Sequence, residues 1–168
     1  LFRSTSPETE IKATDNQIPK QKSLLVIEDD LNFSTVLSTL ATEKGFHCRV
    51  AADGETGLHY ADFYKPDAII LDIGLPGIDG YEVMKRLKEN PQTQSIPVHF
   101  MSASDNELDA MKLGAIGFLA KPVSLEKLSQ SFKRIEEIIA RKVKRLLIVE
   151  DDEAMRRSIR ELTSDDGI

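Results

Sequence analysis

A wholly apolar stretch, Leu24-Leu25-Val26-Ile27, runs straight into three acids, Glu28-Asp29-Asp30. A strand with no polar face must be covered on both sides, so the chain has to supply two layers of helix. The residues that follow do so. Phe33, Val36, Leu37 and Leu40 recur at helical spacing, with Gly45 as a stop, and predict a helix over 30–45. A second short strand is expected at 47–51 and a second helix at 54–64, closed by Pro66. The apolar run 68–71 is a third strand and ends at Asp72. A glycine-rich turn, 74–80, leads to a helix over 81–89. Strands at 97–101 and 116–120 and helices at 102–113, stopped by Gly114, and from 124 to about 142 complete the series. Strands and helices in strict alternation argue for an α/β chain whose five-stranded parallel sheet carries helices on both faces.

The remaining segments bound the domain organisation. Among 168 residues, 40% are hydrophobic and 30% charged, enough for one ordinary core with tails and too few for two full domains. Residues 1–21 are rich in Ser, Thr, Pro, Glu and Lys and are expected to be a linker or tail. A chain beginning at Leu1 rather than Met looks like a piece of a longer polypeptide. The opening then repeats: Leu146-Leu147-Ile148-Val149-Glu150-Asp151-Asp152 mirrors 24–30, and the amphipathic run 155–162 mirrors the first helix. One strand and one helix cannot bury a core alone, so 143–168 is expected to be the truncated start of a second copy, the first occupying 22–142. An apolar strand without a domain is an edge hazard, which suggests pairing or swapping with a second chain through 145–168. A net charge of −6 argues against a nucleic-acid footprint, and no apolar run approaches the roughly 20 residues of a membrane span. With no signal-peptide pattern and a single cysteine, Cys48, the expected compartment is the cytoplasm.

In a parallel sheet of this winding, ligands bind at the carboxyl ends of the strands. Strand one ends in Glu28-Asp29-Asp30, strand three in Asp72, strand four in Ser102-Ala103 and strand five in Lys121-Pro122. If strand one lies between strands two and three, Glu28, Asp29 and Asp72 are side by side. Carboxylates gathered in a partly desolvated cleft repel one another and need a cation. A hard divalent ion with oxygen ligands, Mg²⁺, suits them and leaves a position for a phosphate oxygen. Lys121 adds positive charge beside Asp72. A carboxylate held ionised in this way can attack phosphorus to give an aspartyl phosphate, while metal and ammonium neutralise the equatorial oxygens. The Ser102 hydroxyl could hydrogen-bond the bound phosphoryl group. Each residue alone has a plainer explanation: acids at a helix N-terminus, Asp72 in a turn, Ser102 as an N-cap, Lys121 on the surface. Their occurrence at the ends of different strands, in order, argues for a site.

V-I-E-D-D at 26–30, I-I-L-D-I-G-L-P-G-I-D-G-Y-E at 69–82, F-M-S-A at 100–103 and G-F-L-A-K-P at 117–122 together resemble the receiver domain of two-component response regulators. The resemblance covers about 22–142. It implies a flavodoxin-like, doubly wound sheet of order 2-1-3-4-5, with Asp72 as phosphoacceptor. Glu28 and Asp29 would be the acidic pair, Asp29 a direct Mg²⁺ ligand, and the Gly74 backbone carbonyl a further ligand. Ser102 would be the hydroxyl switch residue, Lys121 the phosphate-contacting lysine and Phe118 the aromatic switch position. The Lys121–Pro122 bond would be cis. Tandem receivers resemble the C-terminal part of hybrid sensor histidine kinases, so Glu150 and Asp151 would be the acidic pair of an incomplete second receiver. The implied partner is a histidine kinase or a histidine phosphotransfer domain. The sequence departs from the pattern in a shortened fourth helix region, in Gly74 with no side chain to shield the phosphoryl group, and in Phe118 without a hydroxyl.

His47, His59 and His99 fall in or beside strand two, helix two and strand four, and none has the setting of a phosphodonor. The chain is therefore expected to receive phosphoryl groups, catalysing only their arrival and loss on itself. A Mg²⁺-dependent phosphatase with an aspartyl nucleophile would need a second Asp two residues on, where Gly74 stands. An interaction module that keeps the fold but ignores phosphate is the other alternative.

Overall fold

The computed structural model describes residues 21–103 and 107–140. Its elements run β1 (Ser23–Ile27), α1 (Leu31–Glu43), β2 (His47–Ala51), α2 (Gly54–Tyr64), β3 (Ala68–Asp72), α3 (Gly80–Glu89), β4 (Val98–Ser102), α4 (Glu107–Lys112), β5 (Gly117–Ala120) and α5 (Leu125–Ala140). The strands form one sheet of order β2-β1-β3-β4-β5, every pair parallel. This is the flavodoxin-like order expected above.

Side chains alternate across each strand, so the central strands feed two cores. Leu25, Ile27, Ile69, Leu71, Val98 and Phe100 pack against Ala61 of α2, Val83, Met84 and Leu87 of α3, and Ala110 of α4. Leu24, Val26, Ala68, Ile70, Met101 and Leu119 pack against Leu37 and Ala41 of α1 and Leu128, Phe132 and Ile135 of α5. Each such Leu, Ile or Phe contributes on the order of 2 kcal/mol by leaving water. The edge strand β2 is different: His47, Arg49 and Val50 are exposed, as an edge allows.

Two boundaries differ from the sequence expectation in ways that matter for the site. Asp30 lies outside α1 as its N-cap, its carboxylate accepting from the amides of Asn32 (2.8 Å) and Phe33 (3.1 Å). The fourth helix does not begin at Ser102. That residue is the last of β4 and is buried, so it belongs to the strand and the N-cap explanation of Ser102 is wrong. Sheet pairing took it instead, since Lys121 donates its backbone N–H to the Ser102 carbonyl at 2.7 Å. Residues 1–20, the repeat at 143–168 with Glu150 and Asp151, and the pairing anticipated through 145–168 lie outside the described residues.

Candidate functional site

Strand register assembles the site. Ile27 of β1 faces Leu71 of β3, so Glu28 and Asp72, each the next residue on, emerge as neighbours. Asp72 faces Met101 of β4, which puts Ser102 one step further out. Ser102 in turn faces Ala120 of β5, and Lys121 follows it. The Lys121–Pro122 peptide bond is cis.

The turn after β3 is pressed onto the same place. A Cβ at Gly80 would lie 2.3 Å from the Asp72 carbonyl oxygen and 2.7 Å from Ile73 Cα, so only glycine fits there. The Gly80 amide donates to the Ile73 carbonyl at 3.0 Å and anchors the start of α3 against the end of β3. A Cβ at Gly74 would stand 3.7 Å from Asp72 Oδ2, an ordinary contact distance, so position 74 borders the carboxylate without crowding it.

Glu28, Asp29 and Asp72 each offer a carboxylate oxygen within 4.8 Å of the others. Glu28 and Asp72 are buried while Asp29 is exposed. The Lys121 ammonium lies 2.8 Å from Glu28 Oε2 and 3.0 Å from Asp72 Oδ2. It also sits over the Phe33 ring, 4.9 Å from the centroid. Burial raises the Glu28 pKa above the ordinary value against the Lys121 hydrogen bond, and the Asp72 charge pushes the same way. Burial pulls Lys121 down, but its hydrogen bonds and charge contacts with Glu28 and Asp72 outweigh this and leave its pKa raised. The cleft is thus a pocket of carboxylates held by one ammonium, with the exposed Asp29 at its open side.

The oxygen-only donor set suits a hard divalent cation such as Mg²⁺. Three carboxylates against one ammonium leave an excess of negative charge that a cation would relieve. Lys121 bridges Glu28 and Asp72, whereas the sequence had placed it beside Asp72 alone. Phe33 was legible only as a helix-face residue; no local spacing says that it meets residue 121. Phe118 is half-buried on β5 and packs on the core beneath α2, α3 and α4. Of the three histidines, His99 is buried in β4, its ring nitrogen Nδ1 3.1 Å from the Phe100 carbonyl.

A family model described as the response regulator receiver domain matches residues 24–133. The chain belongs to the response regulator receiver domain family. Over 104 residues it is 38% identical to the transcriptional regulatory protein AfsQ1 of Streptomyces coelicolor, covering 60% of this chain and 45% of that protein. Over 117 residues it is 35% identical to the alkaline phosphatase synthesis transcriptional regulatory protein PhoP of Bacillus subtilis, covering 68% and 48%. This receiver therefore spans about half the length of those relatives. The receiver domain of Francisella response regulator 1452 superposes with a TM-score of 0.66 at 28% identity, covering 72% of this chain and 98% of that one. The receiver domain of the sensor histidine kinase PA1611 from Pseudomonas aeruginosa, solved with magnesium in its active-site cleft, shares the fold with a TM-score of 0.63 at 22% identity, covering 71% and 98%. Among the described residues no helix is long and apolar enough to cross a membrane.

Proposed function

We propose that this receiver accepts a phosphoryl group on Asp72 from the phosphohistidine of a histidine kinase or histidine phosphotransfer domain. The observation that carries this reading is the contact of Lys121 with Asp72 Oδ2 and Glu28 Oε2 inside a cluster of three carboxylates. An Asp72 oxygen attacks phosphorus, the P–N bond to the donor imidazole breaks, and the imidazole nitrogen leaves with the electron pair. Lys121, 3.0 Å from Asp72 Oδ2, neutralises charge gathering on the phosphoryl oxygens. Glu28, Asp29 and Asp72, with the Gly74 carbonyl, would hold Mg²⁺. The ion would supply further positive charge to the transferring group. Ser102, at the end of β4, would hydrogen-bond the phosphoryl group, and Phe118 would follow it, shifting an existing balance between two surface states.

The domain reading is a tail at 1–21, the receiver at 22–142 and the start of a second receiver at 143–168 carrying Glu150 and Asp151. Its support is the repeat of an apolar strand, an acid pair and an amphipathic run in the same order. Such an array fits a cytoplasmic segment of a hybrid sensor histidine kinase whose own chemistry here is limited to gaining and losing phosphate. Treatment with acetyl phosphate and Mg²⁺ should add one phosphoryl mass, mapped to Asp72. The Asp72→Asn chain should gain none, a loss of at least about 100-fold in adduct for removal of the nucleophile. An adduct of equal yield on the Asn chain, or none on the natural one, ends this reading.

A further inference from the structure

The geometry points to Phe33 as a positioning residue for the Lys121 ammonium. This rests on the phosphoacceptor reading above. Lys121 ends a flexible four-carbon stem, and such a side chain loses considerable rotamer freedom when held in one place. Two of its contacts are the Glu28 and Asp72 carboxylates, and the third is the uncharged face of Phe33, 4.9 Å from ring centroid to Nζ. The side chain keeps only 23% of its exposure, so the ring acts on a partly desolvated cation.

The ring is itself fixed by the acidic segment. Phe33 stands in the first turn of α1, and its backbone amide donates to the Asp30 carboxylate at 3.1 Å. Its partly buried side chain packs on the core beneath α1 and α5. The loop that begins with Glu28 and Asp29 therefore ends in a cap that aims an aromatic face at the lysine opposite. The two carboxylate contacts cannot both persist unchanged when a phosphoryl group forms on Asp72, because its oxygens compete for the same N–H donors. The pull of a ring quadrupole on a cation does not depend on which oxygen the ammonium faces. Phe33 thus keeps Lys121 in the cleft while its anionic partner changes.

Three chains test this: the natural one, Phe33→Leu, which keeps an apolar side chain but removes the ring, and Phe33→Trp, which restores a stronger one. With acetyl phosphate at saturating Mg²⁺, the Leu chain should be phosphorylated about two- to fivefold more slowly and the Trp chain at least as fast as the natural one. A packing role alone would move the unfolding midpoints of both variants without setting this order of rates. An independent readout uses no metal and no phosphate: the ε-methylene protons of Lys121 should show an upfield ring-current shift in the natural chain that disappears in Phe33→Leu. Should the Leu chain fail to fold, that shift in the natural and Trp chains still decides, and its absence from both overturns the inference. Equal phosphorylation rates in all three chains overturn the inference alone. No adduct on the natural chain sinks the phosphoacceptor reading, and this inference with it.

Discussion

Glu28 and His99 are both ionisable and both almost wholly removed from water, with 1% and 2% of their surfaces exposed. They belong to strand segments separated by β3 and are treated in opposite ways. Glu28 stands just past the end of β1 and meets an ammonium at 2.8 Å. His99 is the second of the five residues of β4, far from its carboxyl end and opposite Gly117 of β5, with its Nδ1 near the Phe100 carbonyl. Burial, helped by the charge of Arg134 and only partly offset by that carbonyl, pushes its pKa down to about 4. A buried ionisable group can be stabilised by an opposite charge or kept neutral. The first leaves polar groups ready for chemistry at the rim of the sheet; the second makes the side chain a piece of core. Position along the strand separates the two, because only the strand end opens toward the facing loops.

Three measurements put this contrast to the test. Lys121→Met should have the largest effect, about 3 kcal/mol in unfolding free energy, because it strands the Glu28 carboxylate in a buried place. Adding Glu28→Gln should return much of that loss while phosphorylation stays impaired. If the double variant is no more stable than the single one, Glu28 is not the group that Lys121 stabilises.

Gly117→Ala comes next. A Cβ there would lie 2.6 Å from His99 Nε2 and force the ring aside, at about 2 kcal/mol of overpacking. A chemical melt showing no loss would mean that His99 has room to move and is not core.

The smallest effect is one of pH. The folded His99 takes up its proton near pH 4 and the unfolded one near 6.5, so the stability tied to its neutral form is complete above pH 6.5 and drains as pH falls toward 4. By about pH 5.5 the natural chain should have lost ~1 kcal/mol relative to its value at neutral pH, and His99→Gln should lose that much less. Identical slopes of unfolding free energy against pH in the two chains would remove His99 from the comparison.

Much of this was legible before any tertiary contact was known. The run 24–27 is fully apolar because β1 is central and covered on both sides, and the same holds for 68–71. The edge strand β2 mixes His47 and Arg49 with apolar residues, and it is the strand whose side chains reach solvent. Ser102 was the ambiguous position. A hydroxyl between an apolar run and a helix can cap the helix or end the strand, and the difference rests on hydrogen bonds to residues far away in sequence. Its carbonyl accepts from Lys121, nineteen positions on, and that bond keeps it in the sheet. Phe33 was invisible as a site residue because helical spacing reports which face is apolar, not what stands across from it.

Alternation, element order and the polar residues that close each apolar run were determined by the sequence itself, since they are local patterns with periods of about 2 and 3.6 residues. Tertiary structure alone decided that Glu28 is buried while its neighbour Asp29 is exposed, that one ammonium serves both Glu28 and Asp72, and that an aromatic ring from α1 covers it. These depend on the register of parallel strands joined through whole helices, and no local pattern encodes how such distant segments align.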